Sequence, residues 1–192
     1  SLVIGLFLTS MGVGSYLSKY IQDRLLERLI QIEFAVGLIG GSMAALGFAA
    51  FAYTSAYIPV LVGLVCLIGI FVGMEIPLVI RILRASRQLD VTLAQVMSLD
   101  YIGALLASLA FPFLILPELG LVRGGFLIGL LNILIGLYLL YRVRNPSRSL
   151  RSLRATGWTL SLCLLAGVIL SNYATNHFED QLYQDEIIYA ET

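Results

Sequence analysis

The sequence predicts an all-α fold, a polytopic membrane bundle of about six transmembrane helices with a short soluble C-terminal tail, and three observations carry that expectation. Of the 192 residues, 59% are hydrophobic and 12% charged, against roughly 25% charged in an ordinary soluble domain, and the mean hydropathy is +0.92. The apolar residues gather in runs long enough for a hydrocarbon layer about 30 Å thick, which takes about 20 residues at about 1.5 Å each. Basic residues fall almost wholly into alternate segments between those runs, the pattern that sets membrane orientation.

The first run spans 2–17 and is closed by Lys19 and the charged stretch Asp23, Arg24, Glu27 and Arg28. The second, 32–53, is rich in small residues, with Gly37 and Gly41 in GxxxG spacing, so that a neighbouring helix can approach closely. The third, 57–80, repeats that spacing at Gly69 and Gly73 and is interrupted by Glu75 and Pro77. Proline removes an intrahelical donor, so a kink is expected there. Arg81, Arg84 and Arg87 follow as an exit signal. The fourth run, 91–116, carries Asp100 and is expected to end at Pro112 and Pro117. The fifth, 121–141, opens at Gly120 and Gly124 and closes on Arg142, Arg144 and the breaker Asn145-Pro146-Ser147. A basic loop with Arg148, Arg151 and Arg154 leads to the sixth run, 155–173.

After Asn176 the composition turns acidic, with Glu179, Asp180, Asp185, Glu186 and Glu191 among Leu182, Tyr183, Ile187, Ile188 and Tyr189. Residues 1–176 therefore read as the transmembrane domain and 177–192 as a linker leading into the first strand of a soluble domain. Ser1 opens straight into apolar residues without a basic leader, which speaks against a cleavable signal peptide. With no initiator Met, the chain reads as part of a longer protein, and a helix ahead of Ser1 is an open alternative.

Lys19, Arg24, Arg28, Arg81, Arg84, Arg87, Arg142, Arg144, Arg148, Arg151 and Arg154 all lie after the first, third and fifth runs, leaving only Arg123 of the 12 basic residues on the other side. Those segments are expected to face the cytoplasm. Parity then carries the tail to the outer side. A net charge of zero excludes the global basic field of a nucleic-acid binder. Cys66 and Cys163 sit singly inside apolar runs, without the spacing of a metal site, and read as small packing residues. His177 is the single histidine, so no Ser/His/Asp or Cys/His set can be assembled. No catalytic residue and no metal site is expected in the chain.

The sharpest chemical signals are Glu75 and Asp100, because a carboxylate at mid-membrane costs about 2.5–3.5 kcal/mol on insertion scales. Glu75 lies about 9 Å of helix rise before Arg81, and Asp100 about 15 Å after Asp90. Antiparallel packing would bring them to similar depth. Two readings stand side by side. In one, Glu75 and Asp100, with Arg81 nearby, form a site for an ammonium group or a proton. In the other, Glu75 caps the backbone freed by Pro77 or pairs with Arg81, and Asp100 bonds a neighbouring polar group. Glu33 reads as a residue of the helix entrance facing headgroups.

Gly73-Met74-Glu75-Ile76-Pro77-Leu78 with Arg81, followed by Asp100-Tyr101-Ile102-Gly103-Ala104-Leu105, Phe111-Pro112 and Leu116-Pro117, resembles the membrane region fused ahead of bacterial spermidine synthases. Met11-Gly12-Val13-Gly14-Ser15 and Gly129-Leu130-Leu131-Asn132 are similar to that region too, and the resemblance covers nearly the whole chain. Asp180-Gln181-Leu182-Tyr183 and Asp185-Glu186-Ile187-Ile188-Tyr189-Ala190-Glu191-Thr192 resemble the opening strand of the aminopropyltransferase domain.

The resemblance implies the membrane domain of a polyamine aminopropyltransferase of the bacterial inner membrane. Its partners would be the bilayer, its own C-terminal synthase-like domain, a polyamine and a second copy of itself. The parent would use decarboxylated S-adenosylmethionine as co-substrate, with the donor site and catalytic aspartate beyond Thr192. It implies anchoring of the catalytic domain and raises binding or movement of polyamine cations. A purely structural anchor and oligomerisation platform built on the GxxxG faces, and a small free-standing transporter, are the rival readings. Spermidine synthesis belongs in the cytoplasm, whereas the arginine count sends the tail outside. Either one span is miscounted or the appended domain works on the outer side.

Overall fold

The structure, a computed structural model, describes the backbone of residues 2–84, 89–143 and 147–182, and the side chains of these except 89–92 and 172–182. All elements among the described residues are helical: α1 (Leu2–Leu17), a 3-10 turn (Ser18–Tyr20), α2 (Leu25–Tyr53), α3 (Tyr57–Arg84), α4 (Leu89–Ala110), a π-helical turn (Phe111–Ile115), α5 (Leu116–Arg142) and α6 (Arg148–Leu182). Five helical stretches among them are long and apolar enough to cross a membrane.

Helix α2 is the hub, packing on α5, α3 and α6, while α1 packs on α3. Two clusters make the core. Ile30 and Phe34 of α2 meet Ile133, Leu137 and Leu140 of α5 and Leu150 and Leu164 of α6. On the other side of α2, Leu29, Ile32 and Val36 close on Leu78 of α3. Elsewhere the helices turn apolar residues outward: Leu99, Phe113 and Ile169 are each at least 70% exposed. A helix apolar on all sides calls for an apolar surrounding, either protein or lipid.

Glycines set the closest approaches. A Cβ at Gly37 would lie 2.7 Å from Gly129 O, and one at Gly41 would lie 3.0 Å from Gly129 Cα. Gly125 in turn faces Gly41 O at 3.1 Å. Position 37 meets 129 while 41 meets 125, so α2 and α5 run antiparallel. The second pair serves α1: a Cβ at Gly73 would strike the Met11 carbonyl, one at Gly14 the Ile70 carbonyl, and one at Gly69 would lie 2.8 Å from Ser10 Cβ.

The helix count departs from about six at one place. The expected fourth and fifth runs join in one helical stretch of 50 residues, Leu93–Arg142, because Pro112 and Pro117 do not break the helix. Pro112 sits at the start of the π-helical turn and Pro117 just after it, in the first turn of α5, so the ladder disturbed by the missing N–H groups coincides with that wider turn. The change of direction comes instead at Gly120, with φ 71° and ψ 175° inside α5, a conformation that glycine adopts without steric penalty. Arg84 ends α3 at the end of the bundle where α2 begins, whereas Leu121 of α5 lies beside Phe51 and Leu61 at the opposite end. Helix α4 therefore runs the length of the bundle between them.

A second departure concerns the basic loop with Arg148, Arg151 and Arg154, which forms the first two turns of α6. The Ser147 hydroxyl accepts the Leu150 N–H at 3.3 Å, a helix cap. Ser147 and Ser149 donate to the two oxygens of Glu27, both at 3.0 Å, and Arg154 donates to Leu140 O at 3.0 Å. A cation at the last carbonyls of α5 complements that helix's dipole. Helix α2 likewise starts at Leu25, seven residues ahead of the apolar run.

Candidate functional site

Glu75 lies in α3 against α2, and its Oε1 is shielded from solvent with no hydrogen-bond partner. Neither of the locks that the sequence allows is made by that oxygen. Arg81 turns away from it: its Nη2 donates to Ser18 O at 2.8 Å, tying α3 to the C-terminal end of α1. The same carbonyl accepts the Ile21 N–H at 3.1 Å. The ion pair among the described residues is Arg24–Glu27 at 3.7 Å, away from Glu75. Arg81 is thus a clamp at the basic end, where its charge meets the negative end of α1.

Asp100 is exposed on α4, and its charge is within electrostatic reach of Glu75. So is that of Glu33, half-buried on α2. Glu75 and Asp100 thus lie within electrostatic range of one another, as does Glu33, which the sequence reading had left facing headgroups. Glu33 stands among Leu29, Ile30, Ile32, Phe34 and Val36, all buried, on the stretch of α2 that faces two neighbours at once. Carboxyl groups on α2, α3 and α4 within electrostatic range of one another, in largely apolar surroundings, are a donor set that could take up a proton or a cation carrying N–H donors.

The four glycines singled out from the sequence, Gly37, Gly41, Gly69 and Gly73, are all covered inside the chain by α5 and α1. Their partners Gly125 and Gly129 on α5, and Ser10 and Gly14 on α1, carry the same four-residue spacing of small residues. That repetition was legible before the fold. Toward the far end of the bundle, α2 and α5 leave an apolar cavity of about 650 Å³ lined by Gly40, Ala44, Gly47, Phe51, Phe111 and Gly125 among others. It holds no charged side chain and lies away from Glu75.

Cys66 is half-buried and Cys163 exposed, both free. Helix α6 continues to Leu182, beyond the expected end of the transmembrane domain at 176. Of the linker and first strand expected over 177–192, residues 177–182 are helical, so no strand begins at Asp180, and 183–192 lie outside the described residues, as do Arg87, Arg144, Asn145 and Pro146 and the side chains of Asp90, His177, Glu179 and Asp180.

No family model matches the chain, and no solved structure matches it. Among curated proteins, it is 42% identical over 188 residues to a polyamine aminopropyltransferase of Leptospira interrogans, covering 98% of this chain and 38% of that protein. It is 44% identical over 197 residues to polyamine aminopropyltransferase 2 of Ralstonia nicotianae, covering 99% of the chain and 39% of the relative. A polyamine aminopropyltransferase of Oceanobacillus iheyensis is 36% identical over 197 residues, covering 100% of the chain and 38% of its own length. The chain is therefore similar, along essentially its whole length, to a portion of polyamine aminopropyltransferases, and spans less than two fifths of them.

Proposed function

We propose that this chain is the membrane domain of a polyamine aminopropyltransferase-like protein and anchors its catalytic portion to the bacterial inner membrane. The observation that carries the reading is identity of 36–44% over nearly all of the chain to proteins of that name. The helical stretches long and apolar enough to span a bilayer support it, and so does the gathering of Lys19, Arg24, Arg28, Arg81, Arg84, Arg142, Arg148, Arg151 and Arg154 at one end of the bundle. That end faces the cytoplasm in this reading. Helix α6 runs antiparallel to α5, since Gly157 meets Leu137 and Gly167 meets Phe126, so it leaves the bundle at the opposite end.

The test uses the whole reading frame that contains this chain. Membrane and soluble fractions are assayed for aminopropyl transfer from decarboxylated S-adenosylmethionine to putrescine. Activity sedimenting with membranes is expected, released to the soluble fraction when residues 1–176 are deleted. Absence of transfer in every fraction refutes the transferase reading. Soluble activity in the undeleted protein refutes anchoring.

The carboxylate region favours a second, compatible reading, in which Glu75, Asp100 and Glu33 hold the ammonium group of a polyamine. The unpartnered Glu75 Oε1 supports it. In the folded protein, Glu75→Gln and Asp100→Asn should each weaken putrescine or spermidine binding measured by calorimetry. Unchanged affinity in both variants removes the cation site. The oligomerisation reading loses its basis in Gly37, Gly41, Gly69 and Gly73, because a face covered by α5 or α1 is closed to a second copy.

A further inference from the structure

We propose that the cleft between the first turns of α2 and the middle of α3 binds one anionic phospholipid, its phosphate on Arg28 and its glycerol and first methylenes on Ile21, Ile32, Phe71 and Met74. The proposal rests on the membrane reading above and adds a lipid-selective site to it. The cleft has a volume of about 220 Å³ and is lined by Ile21, Arg28, Gln31, Ile32, Phe71 and Met74. One wall is cationic and the rest is apolar, with a single amide between. That combination matches an amphiphile with an anionic head, and neither a plain acyl chain nor a free inorganic anion uses all of it.

Arg28 is available. Among the described residues it has no carboxylate partner; the ion pair at this end joins Arg24 to Glu27. Its Nη1 donates to Gln31 Oε1 at 3.1 Å, which orients the guanidinium at the mouth of the cleft and leaves further N–H donors for a phosphate. The opposite wall is held in place by the Arg81 clamp. Ser18 O accepts from Arg81 Nη2 and from the Ile21 N–H, so the turn that presents Ile21 is fastened to α3. On the same turn, Lys19 Nζ lies 3.4 Å from the Tyr16 ring centroid and 4.9 Å from that of Tyr20, a second cation held at the level where headgroups would lie. The phosphate is the shared chemistry with free anions; the apolar walls are what commit the site to lipid.

The chain is purified in detergent micelles and examined by native mass spectrometry with phosphatidylglycerol or phosphatidylcholine of identical acyl chains. Phosphatidylglycerol should be retained about fivefold more tightly: both lipids offer Arg28 a phosphate, but the choline ammonium of phosphatidylcholine cancels its headgroup charge, and one arginine near a net anionic headgroup is worth about 1 kcal/mol. Arg28→Gln should bring it to the phosphatidylcholine level, Arg28→Lys should fall between, and Arg142→Gln, at the same end but outside the cleft, should keep the full preference. Helical content by circular dichroism checks that each variant is folded. An unchanged preference in Arg28→Gln, or an equal loss in Arg142→Gln, overturns the site in favour of a diffuse basic surface. Displacement of phosphatidylglycerol by millimolar inorganic phosphate overturns the lipid assignment. Retention of both lipids without preference overturns this proposal alone, whereas failure to retain either overturns the membrane reading as well.

Discussion

Gly129→Ala should destabilise the bundle sharply while Gly40→Ala, the same change on the partner helix, should not. At position 129 the added Cβ would lie 2.6 Å from Gly41 Cα and would also strike the Gly37 carbonyl. Carbon atoms rest at about 3.5–4.0 Å, so α2 and α5 must part by about 1 Å, and neither obstacle is a side chain that can rotate away. Overpacking of this kind costs about 1–3 kcal/mol, and backbone obstruction on two residues puts it at the upper end. The gain in helix propensity from Gly to Ala returns about 1 kcal/mol, leaving a net loss of about 2 kcal/mol, roughly 30-fold in the folding equilibrium. A Cβ at Gly40 meets nothing within 4 Å, so only the propensity gain remains and stability should rise by up to about 1 kcal/mol. Both variants are unfolded from mild detergent by sodium dodecyl sulfate and followed by circular dichroism. Equal stability of the two variants would refute the α2–α5 crossing.

Four further outcomes follow from the same contacts. Arg81→Met removes a charge-assisted bond to Ser18 O and should cost about 2 kcal/mol, seen as faster proteolytic nicking in the 21–24 connection; unchanged nicking would exclude the clamp. Ser147→Ala removes both the α6 cap and a bond to Glu27 and should cost about 1 kcal/mol; strict additivity with Glu27→Gln in a denaturation cycle would deny the link. Glu75→Leu removes an unpaired shielded oxygen and should leave the thermal midpoint equal or higher, whereas a lower midpoint would mark Glu75 as an internal lock. With Cys66 and Cys163 replaced by Ala, a membrane-impermeant thiol reagent applied to intact cells should label Ser55→Cys and spare Asp23→Cys; the reverse labelling would invert the proposed orientation.

The carboxylate pair was half legible before the fold. Glu75 and Asp100 stand out because an ionisable group inside an apolar run is costly wherever it ends up. Glu33 did not, since a residue near the start of an apolar run is equally consistent with the headgroup level. Only the position of α3 across from α2 turns that part of α2 inward. Arg81 shows the opposite limit. Its place after Glu75 suggested a local pair, but a long side chain chooses among all carbonyls within reach, and the end of α1, 63 residues away in sequence, supplies one at the negative end of a helix dipole.

What the sequence by itself determined is whatever depends on transfer from water: the helical character of the chain, the apolar runs, and the basic segments that alternate with them. Burial of apolar surface is additive along the chain and needs no knowledge of partners. The spacing of Gly37, Gly41, Gly69 and Gly73 likewise announced close packing. Tertiary structure decided everything that depends on pairing. It matched Gly37 and Gly41 with Gly125 and Gly129, and Gly69 and Gly73 with α1. It carried α4 into α5 without a break at either proline, leaving the turn at Gly120, where the fifth run was expected to open, and it drew Arg148, Arg151 and Arg154 into a helix capped by Ser147. These outcomes rest on short-range contacts between residues distant in sequence, where a few tenths of an ångström separate attraction from clash, and the sequence of one helix carries no record of which neighbour will supply them.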